Sequence, residues 1–120
     1  AGGSLTAVAR TDRCWEPPLE GDYRRIPASG YRQRKQVMEE TADGFIVLPG
    51  GIGTLDECVE TLILEGRYKP VAFYQPDGRY YEPLRAFFRR AAEEQLLSPD
   101  WPPGRWFCDT LDQLWSVLEA

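Results

Sequence analysis

A glycine-rich segment, residues 49–54 with the sequence PGGIGT, separates two stretches of different hydrophobic periodicity. Residues 45–48 before it are continuously apolar, which is typical of a strand buried in a parallel sheet. After it, Leu55, Val59 and Leu62 recur at the spacing of a helix. The sequence therefore predicts a strand, a tight turn and a helix. The N-terminus of such a helix offers free backbone N–H groups and a positive dipole, so the turn is a candidate site for a phosphate.

Predicted strands and helices alternate along the chain, and this alternation indicates an α/β fold with a doubly wound parallel sheet. Ligands of such sheets bind outside the carboxyl ends of the strands, where the glycine-rich turn is expected. The chain begins where the middle of such a domain would be, so we expect residues 1–120 to form one domain that is the C-terminal part of a larger one. Strands are predicted at 5–9, 22–27, 44–48, 69–74 and 105–108, and helices at 32–42, 54–65, 81–97 and 111–118.

The apolar side chains of these elements predict the core. We expect the strand at 44–48 to be buried on both faces. The apolar side of the helix at 81–97 is predicted to consist of Leu84, Phe87, Phe88, Ala91 and Leu96. Small core residues are predicted at Cys14, Cys58 and Cys108. A packing role, rather than base stacking, is predicted for Tyr80, Tyr81, Trp101, Trp106 and Trp115.

Charge and composition exclude several classes of function. The net charge of −5 argues against a general nucleic-acid-binding protein, which would carry a basic surface. The chain has no histidine, which excludes Ser-His and Cys-His nucleophilic systems and leaves acid–base chemistry to Asp, Glu, Tyr, Lys or Cys. Its three cysteines lack CxxC spacing, so we expect reduced thiols, a cytosolic setting and no structural zinc. No apolar run approaches membrane-spanning length, and no membrane partner is expected.

The charged residues near the turn each allow two interpretations. Thr54 and Glu57 have the spacing of a capping box, but Glu57 could equally face a cleft as a general base or charge stabiliser. Arg34 and Lys35 could form a solvated helix face. Arg34 also lies on the face of Met38, from where it could offer its guanidinium donors to a phosphate or carboxylate. The glycine turn alone is also compatible with a tight turn that binds nothing.

Two motifs together resemble the LONELY GUY (LOG) family. The first is Arg34-Lys35-x-x-Met38, and the second is ADGFIVLPGGIGTLDE at residues 42–57. The similarity continues through Lys69-Pro70-Val71 and through DGxYYxxL at residues 77–84, and so covers about residues 30–98. Members of this family are cytokinin riboside 5′-monophosphate phosphoribohydrolases that were long labelled lysine decarboxylases.

The resemblance implies a Rossmann-like fold and a homodimer with its active site near the dimer interface. It also implies hydrolysis of the N-glycosidic bond of an adenosine-type nucleoside 5′-monophosphate, giving free base and ribose 5-phosphate. The implied catalytic pair is Arg34 and Glu57, and no metal or other cofactor is implied. The substrate-binding residues that the resemblance implies are Lys35, Gly50, Gly51, Ile52, Gly53, Thr54, Leu55 and Asp56.

Three positions depart from the common family pattern. Ile52 stands where Tyr is common, Asp56 where many members have Glu, and Ile63 where a substrate-contacting Thr is common. An alternative function is a non-catalytic nucleotide- or cofactor-binding module of the same superfamily, like the molybdenum-cofactor carrier proteins. Such a module needs the phosphate turn but does not need Glu57 in a cleft. A third hypothesis is a truncated, inactive chain whose apolar sheet edge is covered by a partner.

Overall fold

The computed structural model describes residues 3–4, 6–10 and 23–119, and these fall into two units, one within residues 1–42 and one within residues 43–120. Most of the segment predicted to be irregular, including Cys14, lies outside the described residues. That residues 1–120 form one domain stays a prediction.

The first unit contains two strands and a helix. Strand β1 (Thr6–Arg10) pairs in parallel with β2 (Arg24–Ala28), and Val8 lies opposite Ile26. Helix α1 (Tyr31–Thr41) packs against both strands. A strand–strand–helix order was predicted for this part of the sequence and is confirmed, with bounds that differ by one or two residues.

The second unit is a parallel three-stranded sheet with helices between its strands. The strands lie in the order β3 (Phe45–Val47), β4 (Val71–Tyr74), β5 (Phe107–Cys108). All of their pairings are parallel, which confirms the predicted α/β class. The helices are α2 (Ile52–Leu64), α3 (Glu82–Glu93) and α4 (Leu111–Leu118), and a single 3-10 turn (Gly104–Trp106) precedes β5. Residues 105 and 106, which were predicted to begin the strand at 105–108, belong to this turn instead.

Strand β4 forms the centre of the core. Its residues Val71, Ala72 and Phe73 are all fully buried. Because successive residues of a strand face opposite sides, this burial means that both faces of the sheet are covered at β4. The Phe73 ring stacks on Phe107 at 4.6 Å and meets Tyr81 edge-on at 5.5 Å. Two of the three cysteines, Cys58 and Cys108, are buried free thiols, as predicted.

The prediction that β3 is buried on both faces is wrong. Val47 is buried, but Ile46 on the opposite face is 46 % exposed. Within the sheet of the second unit, β3 is an edge strand. Ile46 pairs with Ala72 of β4, and Ala72 is fully buried whereas Ile46 is not, so the side chains that cover β4 do not cover β3 on this face. The prediction drawn from the continuous apolar run therefore overestimated the burial of this strand.

Two of the side chains predicted on the apolar side of α3 are exposed. Leu84 and Phe88 pack against the core, but Phe87 is 63 % exposed and Leu96 is 82 % exposed. Residues 84 and 88 lie one turn apart on the same face, whereas residue 87 is displaced to the side of it. Leu96 lies beyond the end of the helix, which stops four residues before the predicted bound.

Predicted packing roles are also wrong for two aromatic residues. Tyr81 and Trp106 are buried and Trp101 packs against the core, as predicted. About half of Trp115 is exposed, because α4 turns Leu114 and Val117 towards the core and Trp115 away from it. Tyr80 is 48 % exposed and has a polar role, described below.

Helix α3 ends in a Schellman motif without the usual glycine. The Leu96 N–H donates to the Ala91 carbonyl at 2.8 Å, and the Gln95 N–H donates to the Ala92 carbonyl at 3.0 Å. This geometry requires a left-handed residue, and Gln95 has a φ of 63°. The sequence does not indicate this helix end, because the residue at the left-handed position is not a glycine.

Replacing Gln95 with Gly is expected to raise the free energy of unfolding by about 0.5–1 kcal/mol, because glycine adopts the left-handed region without steric cost. Urea unfolding measures the change. The matched control is Glu94→Gly, next to it, where φ is −83°. This control should lower stability by about the same amount. A Gln95→Gly protein no more stable than the wild type would contradict this explanation of the helix end.

Among the residues that the structure describes, none of the helices combines the length and the apolar content needed to cross a bilayer.

Candidate functional site

The start of α2 leaves a set of backbone donors available to a ligand. Gly51 is the N-cap, and the first intrahelical bond runs from the Leu55 N–H to the Gly51 carbonyl at 3.0 Å. The N–H groups before Leu55 therefore have no acceptor within the helix. Gly51 has no side chain that could cap this end. We call these N–H groups, from Gly51 to Thr54, the donor set; with the positive end of the helix dipole, they form a site suited to an anion.

The capping-box interpretation of Thr54 and Glu57 is wrong. Helix α2 begins at Ile52, two residues earlier than predicted, so Thr54 is already the third helical residue. Its side chain lies against Gly50, where an added Cβ would come within 2.2 Å of Thr54 Oγ1. Glycine at position 50 is therefore required by the packing of Thr54 against the turn.

The carboxylate of Glu57 belongs to the second turn of α2. The side chain is half-buried, on the same side of the helix as Thr54, three residues earlier. Helical side chains lean towards the N-terminus, so the position of Glu57 brings its carboxylate towards the first turn and the donor set. Asp56 is exposed beside it, and Ile52 and Leu55 are exposed as well.

An open cleft of about 420 Å³ lies beside the turn, between the N-terminal ends of α2 and α3. Its walls are mainly apolar, with the backbone of Gly50 and Gly51 at one edge. Such a surface suits the flat face of an organic ring better than it suits a charged group. The other residues that line it are Val47, Ile52, Leu55, Cys58, Tyr80, Tyr81, Pro83, Leu84 and Phe87.

Two consecutive tyrosines connect this cleft to the turn. The Tyr80 hydroxyl donates to the Gly50 carbonyl, and the Tyr81 hydroxyl donates to the Leu48 carbonyl. Burial raises the pKa of the Tyr81 hydroxyl, and the nearby Cys58 thiol adds to the shift. Burial also raises the pKa of Cys58, to about 12. Both groups thus stay neutral near pH 7, and the Tyr81 hydroxyl stays a donor.

Gln75 and Asp77 fix the segment that carries these tyrosines. The buried Gln75 side chain accepts the Tyr81 N–H at 2.8 Å and donates to Glu82 at 2.8 Å. The Asp77 carboxylate accepts the N–H groups of Arg79 at 3.0 Å and Tyr80 at 3.2 Å, and the first of these bonds is the main reason why the pKa of Asp77 is lowered. The sequence predicts a turn here but not the hydrogen bonds that these two side chains make. The local pattern shows only that Asp77 suits a turn, and it gives no indication of the partners.

Of the residues predicted for the site, the second unit holds Gly50, Gly51, Ile52, Gly53, Thr54, Leu55, Asp56 and Glu57, and brings them together around the start of α2. Arg34 and Lys35 are half-buried on α1, in the first unit. The pairing of Arg34 with Glu57 stays a prediction. In the described part of the chain, no three side chains of His, Cys, Asp or Glu come together as metal ligands would.

A parallel α/β sheet, with a glycine turn and a helix start suited to an anion at the end of β3, is typical of the class of proteins that bind phosphorylated ligands at this edge. More specifically, the chain belongs to the family described as possible lysine decarboxylase, which it matches over residues 2–118. This confirms the family predicted from the two motifs.

Curated relatives carry the LOG name. The chain is 43% identical over 76 residues to the probable cytokinin riboside 5′-monophosphate phosphoribohydrolase LOGL3 of Oryza sativa subsp. japonica, covering 61% of this chain and 36% of the relative. It is 44% identical over 82 residues to the probable cytokinin riboside 5′-monophosphate phosphoribohydrolase LOGL5 of the same plant, covering 66% of this chain and 32% of the relative. It is also 44% identical over 82 residues to the cytokinin riboside 5′-monophosphate phosphoribohydrolase LOG3 of Arabidopsis thaliana, covering 66% of the chain and 37% of the relative. The matched segment thus spans about a third of the length of each relative.

Proposed function

We propose that the protein hydrolyses the N-glycosidic bond of a nucleoside 5′-monophosphate of the adenosine type, with cytokinin nucleotides as the favoured substrates. The observation that carries the proposal is the start of α2 at Gly51, which has no side chain to cap the helix, with Glu57 further along the helix and an apolar cleft beside it. The names of the plant relatives support the same reaction.

In the proposed reaction the donor set holds the 5′-phosphate, and the cleft takes the base. Water adds its oxygen to the anomeric carbon of the ribose, the bond to the base nitrogen breaks, and the base leaves with a proton. Positive charge develops on the sugar as the bond breaks, and a carboxylate such as that of Glu57 stabilises this charge or accepts a proton from the water. Arg34 and Lys35 are proposed, on the resemblance of their motif, to contribute positive charge to substrate binding.

The test is the release of free base from adenosine-type nucleoside 5′-monophosphates by the full-length protein, followed by chromatography. The matched control substrate is the same nucleoside without phosphate. Its kcat/KM is expected to be at least about 100-fold lower, because the donor set then has no anion to bind. Tight AMP binding without any release would instead support the alternative of a non-catalytic nucleotide-binding module.

We also propose that the protein forms a homodimer through α2. The helix exposes an apolar stripe at helical spacing, made of Ile52, Leu55, Val59 and Ile63, next to the face that carries its buried residues Cys58 and Leu62. An exposed stripe of this kind is typical of an interface, and a second copy of the chain offers the same stripe in return. The family resemblance supports a dimer as well.

Replacing Ile63, which is 68 % exposed, with Asp is expected to weaken the dimer at least tenfold, because a charge would be buried in the interface without a partner. Sedimentation over a range of protein concentrations measures the change. The matched control is Leu111→Asp, which places the same charge on an exposed apolar side chain at the start of α4. A full dimer with Ile63→Asp would show that α2 is not the contact surface.

A further inference from the structure

We infer that Tyr80 is a positioning residue for the anion site: its hydroxyl holds the Gly50–Gly51 peptide in the one orientation that keeps the Gly51 N–H in the donor set. The inference rests on the proposed function for its role in catalysis. The geometry that carries it is the hydrogen bond from the Tyr80 hydroxyl to the Gly50 carbonyl.

A carbonyl and the N–H of the next residue belong to one planar unit and point in opposite directions in a trans peptide. Fixing the Gly50 carbonyl towards Tyr80 therefore turns the Gly51 N–H away from Tyr80. This N–H belongs to the N-cap residue of α2, directly before the N–H groups of the first helical turn. The orientation of one peptide thus decides whether the donor set includes the Gly51 N–H.

This peptide needs a restraint from outside the turn because it joins two glycines. With no Cβ on either side, the flanking torsions meet little steric resistance, so the unit can rotate more easily than any other peptide of the turn. A Cβ at Gly51 would meet no described atom within 4 Å, so packing around that residue does not restrain it. The Tyr80 hydroxyl supplies the restraint instead.

Tyr80 can supply this restraint because its own position is fixed. Its N–H donates to the Asp77 carboxylate at 3.2 Å, and its ring meets that of Tyr81 edge-on at 5.0 Å. Tyr81 is in turn held by Gln75. The ring of Tyr80 is about half exposed, so loss of its hydroxyl leaves the core unchanged.

Tyr81 has a different role, although its hydroxyl makes a similar bond. It holds the Leu48 carbonyl, and the next residue is Pro49, which has no N–H to orient. The two neighbouring hydroxyls therefore have different roles. The Tyr81 hydroxyl anchors the end of β3, and the Tyr80 hydroxyl orients a backbone N–H that can donate to a ligand.

The test compares Tyr80→Phe with wild type, and Tyr68→Phe is the matched control because Tyr68 is an exposed tyrosine that the cleft does not include. Four quantities are measured in the full-length protein: the amide signal of Gly51 without ligand, the dissociation constant of ribose 5-phosphate, and KM and kcat for AMP. For Tyr80→Phe we expect a shifted or exchange-broadened Gly51 amide signal. The dissociation constant and KM should each rise about fivefold to tenfold, with kcat within about twofold of wild type.

An unchanged Gly51 amide signal in ligand-free Tyr80→Phe would overturn the inference, even with a raised KM, because Tyr80 would then contact the substrate itself. An unchanged dissociation constant for ribose 5-phosphate would overturn it as well. A wild-type protein without turnover contradicts the proposed function only, since the amide signal and the ribose 5-phosphate titration still decide the role of Tyr80.

Discussion

Replacing Glu57 with Gln is expected to lower kcat for release of the base about a thousandfold while leaving AMP binding intact. The substitution keeps the size of a half-buried side chain but removes its negative charge. It therefore removes both proposed actions of the carboxylate, stabilisation of the developing positive charge and acceptance of a proton from water. The donor set stays in place, because the N-cap of α2 is Gly51 and Glu57 lies beyond the first turn of the helix. Affinity for AMP should be equal or higher, since a negative charge near the phosphate is lost.

Steady-state release of the base and calorimetry with AMP measure the two quantities separately. The matched control is Glu93→Gln, which removes an exposed carboxylate at the end of α3 and should leave both unchanged. Undiminished release by Glu57→Gln would remove Glu57 from the proposed mechanism. A loss of AMP binding that parallels the loss of release would show that Glu57 acts in binding rather than in the chemical step.

Replacing Gly50 with Ala is expected to lower the free energy of unfolding by about 2–3 kcal/mol and to weaken ribose 5-phosphate binding. The new Cβ would lie 2.2 Å from Thr54 Oγ1 and 2.7 Å from Thr54 Cβ. A change of the Thr54 rotamer moves the oxygen but not its Cβ, so the backbone of the turn or of the helix must shift. Either shift displaces the donor set.

The matched control for Gly50→Ala is Gly53→Ala, in the first turn of α2, where a Cβ would meet no described atom within 4 Å. Alanine there should be neutral or stabilise the protein by up to about 1 kcal/mol, because it favours the helix. Adding Thr54→Gly to Gly50→Ala should recover about 1 kcal/mol, since it removes the obstructing atoms at some cost in helix propensity. Urea unfolding measures all of these variants. Equal stability of Gly50→Ala and wild type would contradict the role assigned to Thr54.

The local periodicity of the sequence was enough to predict the α/β class, the order of the elements and the glycine turn. Each helix and strand combines a repeating apolar pattern with turn residues, as at Gly44 and at Pro76 to Gly78. The family followed from two motifs at a fixed separation, which is a more specific signal than the glycines of the turn. Local patterns therefore located the candidate site before any contact between distant residues was known.

What the sequence could not predict depends on distant neighbours. The start of α2 was misplaced because Thr54 followed by Glu57 is a capping pattern, whereas the structure packs Thr54 against Gly50 instead. The hydroxyl of Tyr80 bonds a carbonyl 30 residues away, and no local pattern indicates this. The exposure of Ile46 depends on the position of β3 in the sheet, which an apolar run does not specify.

The two tyrosine hydroxyl bonds also bear on the order in which the site forms. They join the turn to residues that follow it by 30 and 33 positions, so they can form only after β4 and the start of α3 have been synthesised. Contacts of this separation close a loop and carry an entropic cost that local helix bonds do not. A nascent chain that ends before Tyr80 can form the helix of the anion site but not the restraint on its first donor. Binding competence is thus acquired late in folding, and during refolding the Gly51 amide signal should reach its native position only after α3 docks, not when α2 forms.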